Sequence, residues 1–321
     1  MTLQTELSSD AAAFSQAYVL IDKYTEARNS ILSLIKYRCN ETCGAILLAP
    51  SGCGKTTLVK KLLADYQEQS VPEQDKRFGI YVETPGSGIS DLLRQLLFEL
   101  GDNKPEYGTH GGKLKRIIDL VNNLNVKVVF LDEIQSMLPS SKLLPTSKSM
   151  KLIKELTNKT NCAWVLMGVP DAASIADVDP QLSDRFSRVI CLDAFACNDD
   201  KNTLDFMEYL YDLLASFPRR APFFKFMNEL LTEDGFKLNA EIDSSNLLRF
   251  CLATKGKPRH IRTLLLEAIE STRPGEAVTK KVMAKAYQTC FQRAHDKKSK
   301  NPFDASIKKV KEELMKEGLY V

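Results

Sequence analysis

Ala49-Pro50-Ser51-Gly52-Cys53-Gly54-Lys55-Thr56, with Thr57 directly behind it, is the stretch from which the rest of this 321-residue chain can be read. A small residue, four variable positions and Gly-Lys-Ser/Thr form the pattern of a phosphate-binding loop. Gly52 and Gly54 let the backbone turn so that successive N–H groups face one phosphate. The helix expected to begin near Lys55 adds its positive end. In that chemistry Lys55 reaches the β- and γ-phosphates of a triphosphate and the Thr56 hydroxyl ligates Mg²⁺, while Pro50, Ser51, Cys53 and Thr57 complete the cradle. The first position is Ala49, not glycine, a mild departure because a tight bend beside a strand is what that position requires. The competing reading is a glycine turn that holds no nucleotide. The flanks oppose it: Ala45–Ala49 is an apolar run and Thr56–Tyr66 has helical periodicity, which gives strand, loop and helix in the order the mechanism demands.

Working outward, Val128-Val129-Phe130-Leu131 is an apolar run that ends in Asp132-Glu133. Four apolar residues suit a buried parallel strand. The acids then emerge at its C-terminal end, where open α/β sheets bind ligands. Asp132 is expected to hold Mg²⁺, mostly through water, and Glu133 to act as general base toward the attacking water. Alone, Asp-Glu after a strand reads equally well as a solvated turn; the phosphate loop upstream gives it meaning and favours an ATP hydrolase. Further strand candidates are Phe78–Glu83, Ala163–Gly168 and Arg188–Leu192. Helices are expected at 17–38, Asp91–Leu100 with Ser90 as N-cap, Lys113–Asn123 and Met150–Asn158, with a loop at Leu138–Ser147. Strands alternating with helices mean an α/β layered domain with a five-stranded parallel sheet.

After Ala196 only helical periodicity remains, broken at Pro218, Gly235, Gly256–Pro258 and Pro274–Gly275. The expected organisation is an N-terminal extension at 1–16, an α/β nucleotide-binding domain at 17–196, a small all-helical lid at 197–292 and a basic tail at 293–321. The tail carries Lys297, Lys298 and Lys300 and an amphipathic stretch at Ile307–Leu319. Net charge is +3, so nucleic-acid binding requires basic residues concentrated on one surface. No apolar run approaches the ~20 residues of a membrane span. Residues 1–14 lack the basic and apolar regions of a secretory signal. The eight cysteines form no CxxC pair and the three histidines fit no zinc-finger spacing, so reduced thiols in the cytoplasm are expected.

Taken together, the phosphate loop, the strand ending Asp132-Glu133, Met167-Gly168-Val169-Pro170, Leu182-Ser183-Asp184-Arg185-Phe186 and Gly256-Lys257-Pro258-Arg259 resemble the AAA+ fold, and within it the TnsC/TniB group of transposition regulators. The resemblance covers residues 17–292 or so. It implies an ATPase with ATP and Mg²⁺ as cofactors. Arg185 matches the arginine finger that reaches a neighbouring subunit's ATP, with Arg188 a second candidate, and Arg259 matches sensor 2. Val169 stands where many relatives place a polar sensor 1 residue. The plain alternative for each arginine is a surface ion pair, worth ~0–1 kcal/mol.

The resemblance also implies a bacterial, DNA-associated protein that assembles as a ring or helical homo-oligomer on duplex DNA. Its partners would be transposase subunits and a target-selection protein or RNA-guided complex. Loops Pro85–Ser90 and Tyr107–Lys113 match the channel-facing loops, and Thr109, Lys113, Lys115 and Arg116 are the candidate contacts to the DNA backbone; a solvated polar loop is the alternative. Two other functions compete. An origin-recognition or helicase-loading ATPase would be expected to add a winged-helix domain, which the residues after Arg293 are too few to form. A nucleotide-switched signalling protein or scaffold would be expected to add repeat domains.

Overall fold

The computed structural model describes residues 6–37, 44–67, 77–86, 88–137, 148–174, 180–238, 244–292 and 300–321. The expected loop Leu138–Ser147 and two lysines of the basic cluster, Lys297 and Lys298, lie outside the described residues. The chain forms two compact units, Tyr24–Asp193 and a second built from 1–23 with 194–321.

The first unit is a five-stranded parallel sheet. Its strands are β1 (Gly44–Leu48), β2 (Gly79–Glu83), β3 (Val128–Asp132), β4 (Ala163–Gly168) and β5 (Arg188–Cys191), in the order β2-β3-β4-β1-β5. Burial follows position. Every residue of the inner strands β1, β3 and β4 is buried, whereas edge strand β2 buries Ile80 and Val82 and shows Tyr81 to one side. Inner parallel strands are covered on both faces and so read as unbroken apolar runs; edge strands alternate. The helices Lys55–Gln67, Ile89–Glu99, His110–Asn123 and Lys148–Lys159 supply the cover. Leu92, Leu93, Leu96 and Leu97 of one and Ile117 and Val121 of another join Val129, Leu131, Trp164 and Leu166 in the core.

All four expected helix starts shift: the helix expected from residue 17 begins at Asp22 and the one expected from Met150 begins at Lys148. The helix expected at Asp91 begins at Ile89, with Gly88 rather than Ser90 as N-cap, at φ 117°. The helix expected at Lys113 begins at His110, because the Thr109 side chain accepts from the Gly112 N–H and caps it three residues earlier.

Among the described residues, the regular structure of the second unit is helical apart from a hairpin pairing Leu231–Thr232 with Gly235–Phe236. Its core is aromatic: Phe250 meets Phe224 edge-on at 5.1 Å, and Phe223 meets Phe303 at 5.6 Å. The run Ala221–Leu231, whose apolar spacing is helical, is a 3-10 turn at Pro222–Phe224 followed by a short helix at Phe226–Leu230. Described residues near both ends of the chain pack into this unit. The Ser8 amide and hydroxyl donate to Glu270 at 2.8 and 2.7 Å, and Arg262 donates to the Ser15 carbonyl at 3.1 Å. At the other end, Phe303, Val310 and Leu314 are fully buried, and buried Arg249 donates to the Pro302 and Ala305 carbonyls. Residues 300–321 are therefore packed structure, anchored by apolar side chains spaced among the lysines. Gly256 is fixed by sterics. Its φ is 59° and a Cβ there would lie 1.7 Å from the Phe195 carbonyl oxygen. None of the described helices is long and apolar enough to cross a membrane.

Candidate nucleotide site

The loop after β1 runs from Ala49 to Gly54, and the helix Lys55–Gln67 begins at its end. Gly52 and Gly54 have φ of 88° and 90°, the left-handed conformation that residues with a Cβ resist. The Cys53 N–H donates to the Pro50 carbonyl at 3.2 Å, and Tyr24 donates its hydroxyl to the Cys53 carbonyl at 3.3 Å, which pins the outside of the turn. Cys53 is buried, while Ser51 and Thr57 are exposed. The first N–H groups of the helix that follows have no intrahelical acceptor, and the helix dipole adds positive potential there.

Sheet order brings the second half of the site to the first. β3 lies one strand beyond β4 from β1, and its last residue, Asp132, emerges at the same edge as the loop. Lys55 Nζ lies 3.2 Å from Asp132 Oδ1 and 2.9 Å from Glu133 Oε1. The Thr56 hydroxyl donates to Asp132 Oδ2 at 2.8 Å. Burial by itself lowers the Lys55 pKa, but the hydrogen bonds and charges of Glu133 and Asp132 outweigh it, and the net shift is upward. Lys55 therefore stays a cation at neutral pH. Its side chain is 8% exposed and that of Asp132 2%, whereas Glu133 is 41% exposed. One carboxylate is thus locked in the wall and the other faces the open side.

Residues that the motifs do not reveal complete the arrangement. Tyr81 reaches across from β2 and donates to Asp132 Oδ2 at 2.8 Å. Burial, then the hydrogen bond to Asp132, pushes its hydroxyl pKa well above the tyrosine range, so the donor persists through alkaline pH. The Glu133 N–H donates to Asp132 Oδ1 at 2.8 Å. Thr84, at the end of β2, donates to the Glu133 carbonyl at 2.7 Å. Gln135 donates to Glu133 Oε2 and accepts from the Val169 N–H at 3.4 Å. Tyr81 and Thr84 gave only strand propensity to a reader of the sequence, and Gln135 gave nothing beyond its place two residues after Glu133.

A family model described as TniB, bacterial TniB protein, matches residues 15–193, more than half of the chain. The chain belongs to the TniB family. Solved structures similar to this TniB chain include the Aeropyrum pernix ORC2 protein in ADPNP–ADP complexes. It has a TM-score of 0.61 and 16% identity over 88% of this chain and 72% of that one. The Aeropyrum pernix ORC1 protein in complex with DNA has a TM-score of 0.56 and 17% identity, over 88% and 71%. Cdc6p from Pyrobaculum aerophilum has a TM-score of 0.54 and 14% identity, over 88% and 71%. At such identities the likeness is one of fold, the AAA+ P-loop fold of a five-stranded parallel sheet followed by a helical domain. Comparison with curated proteins gives no match.

The remaining candidate residues of the TniB chain fall in several places. Arg185 closes the short helix Pro180–Arg185, half-buried, with one guanidinium N–H donating to the Lys154 carbonyl at 3.4 Å. Arg188 begins β5 and donates to the Ser30 carbonyl at 2.8 Å. Arg259 is the second residue of the helix Pro258–Glu270 in the helical unit, and it is exposed. Of the DNA candidates, Lys115 alone is an exposed cation. Lys113 is 7% exposed, which corrects its assignment as a backbone contact. It stands one turn before Ile117 and two before Val121, on the apolar face of its helix. Arg116 is committed to its own loop, pairing with Asp102 at 3.2 Å and donating to the Tyr107 carbonyl at 2.6 Å. Thr109 is committed to its cap.

Proposed function

We propose that this chain is an ATP-hydrolysing regulator of DNA transposition. In this reading it binds Mg–ATP at the edge of the sheet, assembles with further copies on duplex DNA, and links a target-selecting partner to the transposase. Hydrolysis then releases the assembly. The observation that carries the proposal is the meeting of Lys55, Thr56, Asp132 and Glu133, from two separate strand ends, within hydrogen-bonding distance of one another. Support for the biological setting comes from the TniB match and, by analogy of fold, from relatives in complex with adenine nucleotide or with DNA.

The donor set suits magnesium: Thr56 Oγ1 and Asp132 Oδ2 are hard oxygen ligands side by side, and this ion takes one or two protein oxygens together with phosphates and water. When bound, it neutralises charge on the phosphates. The protein's own residues do the rest. The amides after Gly52 bind the β-phosphate. Lys55 exchanges its carboxylate partners for phosphate oxygens. Freed of the ammonium, Glu133 Oε1 accepts a proton from water as the water oxygen bonds to the γ-phosphorus. The bond from that phosphorus to the β,γ-bridging oxygen breaks, and its electron pair leaves with ADP. Arg185 is proposed as the finger toward a neighbouring copy's nucleotide and Arg259 as the lid sensor.

Three proteins test the proposal: wild type, Asp132→Ala and Glu133→Gln, each assayed for binding of a fluorescent ATP analogue, for phosphate release with duplex DNA, and for assembly by negative stain. The expected pattern is nucleotide-dependent rings or filaments on DNA for wild type, weakened Mg–ATP binding for Asp132→Ala, and binding without turnover for Glu133→Gln. Equal loss of binding in both variants removes the assigned roles. Monomers with no affinity for DNA favour the signalling switch instead. The ORC and Cdc6 structures are like this chain in fold at 14–17% identity, so an origin-loading function has fold alone behind it.

A further inference from the structure

Glu133 is held more firmly than its exposure suggests. Its main chain occupies the left-handed region, φ 55°, and both carboxylate oxygens have partners: Oε1 accepts from Lys55 at 2.9 Å and Oε2 accepts from the Gln135 side-chain amide. The far end of that amide, Gln135 Oε1, accepts the Val169 N–H at 3.4 Å, just beyond β4. The orientation of the amide follows from its neighbours: a carboxylate offers only acceptors and a main-chain N–H only a donor. The fold leaves room for it. Gly168 closes β4, and a Cβ there would lie 2.7 Å from Gln135 Oε1. Gln135 itself sits in the 3-10 turn Ile134–Met137, whose Ile134 and Met137 are buried, so its backbone is anchored on both sides.

We propose that Gln135 is the positioning residue for Glu133, holding one carboxylate oxygen against the end of β4 so that the other is the one presented to water. The inference deepens the proposed function and rests on Glu133 being the base. The two oxygens have unlike partners. Lys55 is drawn away when phosphates arrive, and that frees Oε1. Gln135 has no reason to leave, since its amide touches neither Lys55 nor the loop, and Oε2 stays tethered. The carboxylate then cannot rotate freely about its last bond, and the proton acceptor is fixed in place. The link also accounts for an apolar side chain at Val169. The end of β4 communicates with the base through the Val169 N–H, which every residue except proline supplies, and Gln135 carries the polar group that Val169 lacks.

Gln135→Met keeps the length of the side chain and removes both hydrogen bonds. Gln135→Glu keeps its shape and sets a like charge against Glu133. Both are compared with wild type and Glu133→Gln for kcat with duplex DNA and for Kd of a fluorescent ATP analogue, with thermal melting as a check on folding. The expected result is a kcat lower by ~10–100-fold in Gln135→Met, a part of what general base catalysis contributes. Gln135→Glu should be lower still, with Kd within about twofold of wild type in both, since uniform binding is untouched. The isosteric Gln135→Glu carries the test if the thioether variant melts early. Wild-type turnover in Gln135→Met, or Kd weakening in step with kcat, overturns the proposal while leaving Glu133 as base. Wild-type turnover in Glu133→Gln removes the base, and the proposal with it.

Discussion

Replacing Tyr81 by Phe removes one hydroxyl and leaves the ring, including its contact with the Lys60 ammonium 5.0 Å from the centroid. The Asp132 carboxylate is the group affected. Oδ1 takes the Glu133 N–H at 2.8 Å and Lys55 at 3.2 Å, and Oδ2 takes Thr56 and Tyr81, each at 2.8 Å. On the proposed reading Lys55 turns to phosphate and the Thr56 oxygen turns to magnesium, so Tyr81 becomes the sole side chain that still orients Oδ2. A hydrogen bond to a charged acceptor is worth ~1.5–3 kcal/mol. Tyr81 is half-buried, so water replaces part of the loss, leaving about 1–1.5 kcal/mol, or ~5–10-fold in affinity. Partners of metal-ligating carboxylates lose about 10–100-fold when removed, which sets the upper bound. The assay is a Mg²⁺ titration of nucleotide binding and of phosphate release at fixed ATP. Tyr81→Phe should raise the half-saturating Mg²⁺ concentration by up to about tenfold and leave the melting temperature without nucleotide within a few degrees of wild type. A half-saturation unchanged in Tyr81→Phe but shifted in Asp132→Ala would show that the hydroxyl does nothing for the carboxylate's function.

Three further outcomes are expected. Gly256→Ala combines a left-handed φ of 59° with a Cβ placed 1.7 Å from the Phe195 carbonyl oxygen, so it should cost at least ~3 kcal/mol and lower the melting temperature of the helical unit by more than about 6 °C; an unchanged melt refutes the steric account. Lys115→Ala should weaken duplex binding without sequence preference and reduce the salt slope by about one, whereas Lys113→Ala should leave the slope alone because Lys113 is buried; fluorescence anisotropy at several salt concentrations reads both. Burial, then the Glu267 charge, pushes the Cys290 thiol up to about 11. Its thiolate fraction is fully suppressed below the ordinary thiol range and rises only as pH approaches that value. At pH 8 its alkylation should run about a hundredfold slower than that of a free thiol, measured peptide by peptide by mass spectrometry.

What the sequence makes legible in this site has a local cause. Gly52, Gly54, Lys55 and Thr56 lie within five positions, and Asp132-Glu133 directly ends an unbroken apolar run, so each half of the site carries its own signature. Their meeting follows from one further inference, that both strands belong to a single parallel sheet. Tyr81 carries no such signature: a tyrosine in an edge strand reads as β-propensity, and its bond to Asp132 depends on β2 lying beside β3. The folded C-terminal residues are obscured in the same way. The Arg249 bonds to Pro302 and Ala305 span more than fifty positions, and a lysine-rich segment looks solvated until Phe303, Val310 and Leu314 are seen buried. Lys113 is a different kind of error. Its period with Ile117 and Val121 is visible in the sequence, and following that spacing back from the two apolar residues places Lys113 on the same face.

On the proposed reading, the charges in the described contacts leave the site short of cations within one α/β unit. Lys55 is the only cation within reach of Asp132 and Glu133 in the described contacts, and it is already outnumbered by them. A triphosphate brings more negative charge than its magnesium neutralises, and the helix N-terminus contributes only about half an elementary charge. Phosphoryl transfer needs further positive charge as the γ-phosphate loosens. The two arginines considered for this role in the unit hold carbonyl partners: Arg188 that of Ser30 and Arg185 that of Lys154. Of the two, the Arg185 bond is the long one, 3.4 Å against 2.8 Å, and a carbonyl is a weak partner for a guanidinium, so Arg185 loses little by turning outward. If it serves a neighbouring copy's nucleotide, mixing Arg185→Ala with Lys55→Ala should restore hydrolysis that neither variant performs alone, because the mixture contains junctions at which an intact loop faces an intact arginine. Absence of rescue at every mixing ratio, with mixed assemblies seen on DNA, would place the missing charge within the same chain, and Arg259 would then be the residue to change.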